Sequence, residues 1–513
     1  MPRIKDKNYI FIISAFIFLT VFYLVIEYIQ TGHQWGVPLD DTWIHFRFAE
    51  NFAKGYFFQY NIGEPMPGTT SPFWVIILSI PFLFSSKLIL PFSYLAGSVF
   101  FLLTILEVYK LSLTLGFNKY HSLLISLLTL LCGRLLWSSL SGMEITLACW
   151  LFVLITRIHL LEIEKEKIKP LTGLLLGLCA VTRPEAILFA LIYYFVTILL
   201  LKNKLKLNSN TESLSYSASI FIAILLPYAI FSFSVTGSFL PTTFKGQNAG
   251  LRLPDIDFLR ETGKYFFRDN VLILILWFFG VYYFIRSLIK KKQENKFLLI
   301  NLWIILFPLI SSIIAPNWRH HGRYLIPLIP FINISAIYIF AYKFNQSQLP
   351  SPREARIYRI ILVTVLFVLS GINAYVFAKA LGWNTDNINN QQVNIANWIN
   401  TNIPDEKCIA INDIGAITYL TNKRIVDMEG LVTPEIFKIN TLAQVPKNLQ
   451  ILYLLKRNGV NYLIIYPNWY ESFVTSYSQF MERKYSARLE FNTICGGDDM
   501  VVYKIKWDKL NLN

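Results

Sequence analysis

Charge is scarce in this chain: only 15% of its 513 residues are Asp, Glu, Lys or Arg, while 54% are hydrophobic and the mean hydropathy is +0.45. A soluble globule of this size would carry about a quarter charged residues, so the composition excludes one and requires a multispanning membrane protein. Acid is scarcer than base, 32 residues against 47, for a net charge of +15. In a soluble chain that surplus would suggest nucleic acid. In a membrane protein it reflects Lys and Arg gathered in cytoplasmic loops against lipid headgroups, and no nucleic-acid partner is expected.

Metal-binding residue types are also few. Five Cys and six His form no CxxC motif and no Cys/His cluster, so no structural zinc site is expected. Cys132, Cys149 and Cys179 fall in apolar runs and read as small core residues. Cys408 and Cys495 lie in a polar tail and could pair if that tail faces an oxidising compartment. Internal repeats and low-complexity stretches are lacking. The N-terminal run 9–29 has a basic start but no small-residue cleavage site, which predicts a retained first span rather than a signal peptide.

Apolar runs at 9–29, 90–109, 120–138, 143–161, 171–182, 185–201, 216–234, 271–289, 297–315, 324–342 and 357–379 predict eleven transmembrane helices. Each is long enough, or nearly so, for a hydrocarbon core of ~30 Å. The proline-bracketed run 72–84 predicts an interfacial helix instead. An inside N-terminus gives the cytoplasmic loops about 21 basic residues against about 12 in the opposite loops, which places the first loop and the tail outside. From about Gly382 the pattern changes to a helix around VNIANWI, a strand CIAI, a helix NLQILYLLKRNG, a strand YLII, and a final pair, ARLEFNTI and MVVYKI. The expected architecture is an α-helical membrane core over 1–380, with a catalytic first outer loop at 31–89, and an extracytoplasmic α/β domain over 381–513.

The first polar ground after the first span is residues 38–74: Pro38 and Leu39, then DDTWIHFRFAENFAKGYFFQYNIGEPMPGTTSPFW. Asp40 and Asp41 are its first charged residues. Paired carboxylates beside a lipid surface suit a general base with a second carboxylate that orients an acceptor or holds a cation, and they equally suit a solvated loop or a helix cap. Arg47, on the helix-like stretch that follows, could meet a phosphate bidentately or snorkel to headgroups. His45, flanked by aromatics, reads as a satisfied interfacial residue.

In order, the segment carries two Asp, an aromatic, Arg, an aromatic, Ala, Asn, Gly, Tyr-Asn, Gly-Glu, Gly, Thr-Ser-Pro and Trp. It resembles the first outer loop of the GT-C glycosyltransferases, membrane enzymes that take a sugar from a polyprenyl-phosphate carrier, and within them an arabinofuranosyltransferase-like or protein mannosyltransferase-like branch. The resemblance implies that Asp40 and Asp41 are catalytic and that Asn61 and Glu64 contact sugar hydroxyls. Plain loop solvation is the alternative for Glu64.

Further junctions on the same predicted face carry the likeness onward. LSGMEI, with Glu144, is similar to an SGME segment of that family, although an acidic helix start also complements the dipole. In TRPEA, Arg183 and Glu185 could pair with each other or touch substrate. NWRHHGRYLIPLIP gathers Arg319, His320, His321 and Arg323 into an anion site, and its GRYLIP core resembles the family segment expected to meet the carrier phosphate. The adjacent histidines project differently and cannot chelate one metal unaided. TGSFLPTTFKGQ resembles a family loop and keeps Lys245, with Thr242 where Asn is usual.

The resemblance implies inverting transfer of a glycosyl unit to an acceptor hydroxyl of an envelope glycan, glycolipid or glycoprotein at the outer face. The expected partners are the polyprenyl-phosphate sugar donor, a glycan or lipid acceptor, and membrane lipids. No cofactor is required by the pattern, although Asp40 with Asp41 could hold a divalent cation. A competing class is a transporter or flippase of lipid-linked saccharides. That class tends to place charge mid-helix and to show repeat symmetry, whereas here charge clusters at one face without repeats.

Overall fold

The computed structural model describes residues 7–201, 209–239, 241, 252–289, 295–342, 352–442 and 446–510. The chain opens with α1 (Lys7–Gln30), α2 (Asp40–Ala53) and α3 (Pro72–Ser79), then runs through α4 (Ile89–Thr114), α5 (Lys119–Leu130), α6 (Gly133–Ser139), α7 (Ile145–Lys165) and α8 (Pro170–Thr182). It continues with α9 (Ala186–Leu201), α10 (Ser209–Thr236), α11 (Ile256–Ile289), α12 (Leu298–Ile314), α13 (Ile329–Tyr342) and α14 (Pro352–Ile388). Every one of the eleven apolar runs is helical. By length and composition, seven helices among the described residues suffice to cross a membrane, or up to eight if α5 and α6, bent by 63°, form one span. Helices α8, α9 and α12 are shorter apolar helices.

Contacts divide the chain into two units. One comprises Met1–Val25, Tyr94–Pro227 and Ala249–Lys379; the other comprises Ile26–Ser93, Tyr228–Asn248 and Ala380–Asn513. One of the breaks between them falls between Lys379 and Ala380. The first outer loop, however, groups with the tail and not with the remaining helices.

In the first unit, small residues let helices close. A Cβ on Gly97 would sit 2.2 Å from the Ser139 carbonyl oxygen, and one on Gly173 would sit 2.0 Å from that of Ser217. Around the buried Trp303 indole, Phe152, Phe189 and Phe307 pack with ring centroids 4.8–5.1 Å away.

In the second unit the tail follows α14 through a π-helical turn (Asn389–Val393) and α15 (Asn394–Asn402). Then come β1 (Cys408–Ile411), α16 (Ala416–Thr421), β2 (Ile425–Asp427), α17 (Pro434–Leu442), α18 (Lys447–Arg457), β3 (Val460–Ile465), β4 (Met481–Arg488) and β5 (Asp499–Ile505). The sheet order is β2-β1-β3-β5-β4. Strand β1 is parallel to β2 (Ile409 beside Ile425) and to β3 (Ala410 beside Leu463), whereas β3–β5 and β5–β4 are antiparallel. All four residues of β1 are buried, the continuous apolar pattern of a central parallel strand. Strand β2, three residues long, is too short to stand out in the sequence. The expected strand ARLEFNTI is displaced: β4 ends at Arg488 because Asn492 Oδ1 accepts from the N–H groups of Ile494 and Cys495 and turns the chain out of the sheet. Cys408 and Cys495 are both free thiols.

Candidate active site

Asp40 does not cap its own helix. Extended backbone at Leu39 (φ −140°, ψ 138°) precedes α2, and Asp40 is its first residue. Its Oδ2 accepts from Gly415 N at 2.6 Å and its Oδ1 from Ala416 N at 2.7 Å, so the carboxylate of the first loop is held by the main chain of the tail at the start of α16. Asp40 is only 7% exposed.

Its carboxyl partner is Asp413, with which it shares a hydrogen bond. Asp413 Oδ2 lies 2.8 Å from Gln392 Nε2 and 3.0 Å from the Tyr466 hydroxyl. Burial, then the Asp413 charge, pushes the Asp40 carboxyl well above the usual carboxylate range; burial raises Asp413 as well. Two carboxyl groups can share a hydrogen bond only if one of them carries a proton. Asp41, expected from adjacency to be the partner, projects about 100° away around the helix. Its charge adds to the upward pressure on Asp413.

The other first-loop candidates are engaged within the unit. Arg47, 4% exposed, donates to Tyr60 O (3.2 Å) and Asn422 Oδ1 (2.6 Å) and pairs with Glu50 at 3.5 Å. Asn61 bonds the Ile425 main chain in both directions, at 2.9 and 3.1 Å, and donates to Glu64 at 2.8 Å. Glu64 accepts from Arg424 at 2.7 Å. Together these residues fasten the first loop along β2. Of the three, Glu64 borders a cleft of about 220 Å³ that Arg424, Asn458, Glu435 and Met66 also line.

Among the described residues, no group of three or more His, Cys, Asp and Glu is arranged to hold a metal ion. Each Asp40 oxygen accepts one main-chain N–H, from Gly415 and from Ala416.

The first unit carries the cationic candidates. Arg183, 3% exposed, contacts Glu144 at 3.2 Å and Glu185 at 2.8 Å, and its guanidinium lies 4.9 Å from the Tyr324 ring centroid. Arg323 lies 5.2 Å from the same centroid and 3.2 Å from the Tyr324 hydroxyl. The SGME, TRPEA and GRYLIP segments, distant in sequence, therefore converge. Two carboxylates balance the Arg183 charge, which makes that triad an internal ion-pair network. Exposed Arg319 begins the turn in which His320 and His321 adopt left-handed backbone (φ 52° and 59°). The His321 ring meets Trp137 and Phe377 edge-on.

Arg134, missed in the sequence, stabilises that turn. Fully buried, it pairs with Asp269 at 2.8 Å and donates to the carbonyls of His321 (3.2 Å) and Gly322 (3.4 Å). The available signal was an arginine inside an apolar run, costly unless partnered. Gln392 and Tyr466 were missed because they stand in no charged or motif-like neighbourhood, and Asp413, the first residue of the DIGAITYLT run, was not singled out as a site candidate. Thr242 and Lys245 lie outside the described residues.

A helical multi-pass membrane core with a small terminal sheet domain is a fold of the GT-C type. ArnT from Cupriavidus metallidurans, solved bound to undecaprenyl phosphate, aligns with a TM-score of 0.61 at 12% identity over 95% of this chain and 97% of its own. The apo oligosaccharyltransferase of Archaeoglobus fulgidus aligns at 0.59 and 15% identity over 90% and 70% of the two chains. Oligosaccharyltransferase AglB from the same organism, in complex with an inhibitory peptide and a dolichol-phosphate, aligns at 0.59 and 14% over 98% and 75%. Residues 386–503 match a family described as a domain of unknown function (DUF8728), and no curated protein matches the chain.

Proposed function

We propose that this chain is a glycosyltransferase that takes a sugar from a polyprenyl-phosphate carrier and passes it, with inversion, to an acceptor hydroxyl at the outer membrane face. The observation that carries the reading is Asp40, the first carboxylate of the loop motif, held by two main-chain N–H groups and a second carboxyl in a buried setting. Such a setting keeps a carboxyl basic enough to take a proton near neutral pH. Two structures sharing the fold hold polyprenyl phosphates, undecaprenyl phosphate in one and a dolichol-phosphate in the other, which supports a carrier of that class.

In the proposed reaction the acceptor oxygen attacks the anomeric carbon and its proton goes to the Asp40–Asp413 pair. The bond from the anomeric carbon to the phosphate oxygen breaks, and the carrier leaves with the electron pair. Negative charge grows on the carrier phosphate as that bond breaks.

The test uses purified full-length chain and a panel of farnesyl-phosphate pentoses and hexoses, with release of farnesyl phosphate as the readout. Asp40→Asn should keep the fold and lose about 10² to 10⁴ in rate. No release from any panel member by the wild type, or near-normal turnover in Asp40→Asn, would refute the reading.

A further inference from the structure

The sheet order reverses at β1: the chain goes from β1 through α16 to β2 on one side, while β3 lies on the other. In open α/β sheets, the crevice outside the carboxyl ends of the strands flanking such a reversal is where ligands are held. Residues 412–415 follow β1 and Tyr466 follows β3, so Asp413 and Tyr466 stand at that crevice, as does the Asp40 carboxyl bound to Gly415. Beside them Asn412, 6% exposed, has a side-chain N–H₂ with no hydrogen-bond partner among the described residues. A carboxylate has about four lone-pair positions. Gly415 N, Ala416 N and Asp413 occupy three of those on Asp40, which leaves one for an incoming hydroxyl.

We infer that Asp413 is the positioning residue for Asp40: it fixes the carboxyl through their shared hydrogen bond and takes the proton of that bond when Asp40 receives one from the acceptor. The inference rests on the reading of Asp40 as the reacting carboxylate. The step balances. The acceptor O–H bond breaks and its proton joins Asp40; the proton already between the carboxyls passes to Asp413; the new glycosidic bond forms as the carrier phosphate departs with the electron pair. The pair begins with one proton and ends with two. The tail thus supplies part of the chemistry rather than a cover for it, and Gln392 and Tyr466 hold Asp413 in place for that role.

The test measures kcat and KM for the farnesyl-phosphate sugar that the wild-type chain turns over, in Asp40→Asn, Asp413→Asn and Asp413→Glu. In Asp413→Asn kcat should fall about tenfold or more, with donor KM within about threefold, and Asp413→Glu should recover part of the loss. Unchanged kcat in Asp413→Asn, alongside an inactive Asp40→Asn, overturns this inference and leaves the proposed function standing. Activity in Asp40→Asn sinks the proposed function itself. If Asp413→Asn does not fold, Tyr466→Phe removes one donor to Asp413 and should lower kcat about threefold at constant KM; no change overturns the inference. An infrared measurement needs no substrate. The wild-type chain should show a protonated-carboxyl band that shifts or vanishes in Asp413→Asn, and a band unmoved by that substitution overturns the shared hydrogen bond.

Discussion

Gly415→Ala removes no side chain that carries chemistry, yet it should disable the site. A Cβ at this position would stand 2.0 Å from the Asp40 main-chain oxygen and 2.5 Å from its Oδ2, where ordinary contact begins at 3.4 Å. The shortfall exceeds an ångström against main-chain atoms, which cannot swing aside as the end of a long side chain would. Overpacking of that kind costs about 1–3 kcal/mol. A displacement of about 1 Å at a reacting group costs about 10² in rate. The variant should therefore unfold more easily by that amount and turn over the farnesyl-phosphate sugar about a hundredfold more slowly, with donor KM little changed. Gly371→Ala is the control: nothing lies within 4 Å of its Cβ position in α14, and removing a helical glycine should leave stability equal or improved by up to about 1 kcal/mol. A folded Gly415→Ala with wild-type turnover would show that the Asp40–Gly415 contact does not exist in the working protein.

Three other outcomes are expected. Arg323→Ala should weaken carrier binding by about 1.5–3 kcal/mol, with Arg323→Lys recovering only part because the bidentate fork is lost; unchanged affinity in both dismisses Arg323 as the phosphate ligand. Asp427 is fully buried and its carboxyl is pushed up to about 6, chiefly by burial. A raised folded value favours the neutral form, so this contribution is complete below about pH 4 and lost as pH climbs through about 6, up to about 3 kcal/mol. Denaturation across that window should show stability falling with pH, and Asp427→Asn should flatten the slope; a slope of opposite sign, or one untouched by the substitution, refutes the assignment. In a background without reactive native thiols, Asp405→Cys should label from outside the cell and Lys165→Cys should not; the reverse pattern overturns the topology.

The helices were legible because burial in hydrocarbon demands long apolar runs, and nothing else in the chain looks like them. The loop motif was legible because Asp40, Arg47, Asn61 and Glu64 lie within one short polar stretch. What could not be read was where their partners come from. Asn61 faces the main chain of Ile425 and Glu64 faces Arg424, so both residues help fasten the first loop to the tail. Asp41 looked like the partner of Asp40 because adjacency in sequence was the only measure of proximity at hand. Helical geometry sends the two apart, and a carboxyl from the tail takes the place.

The Asp40 site is built mostly from main chain, and that decides which substitutions it can bear. Gly415 and Ala416 hold the carboxylate through N–H groups that every residue but proline supplies. Side chains in this turn of the tail could therefore change widely without releasing Asp40, with two exceptions. Position 415 has no room for a Cβ, and position 413 must offer a carboxyl to share a proton. The same reasoning explains why no residue of the turn was singled out as a site candidate. Main-chain donors leave no mark on residue identity, and a single Gly and a single Asp in NDIGA are ordinary features of the loop after a parallel strand. Their meaning comes from the sheet order, which places that loop at the crevice between β1 and β3 where a ligand can be approached from both strands.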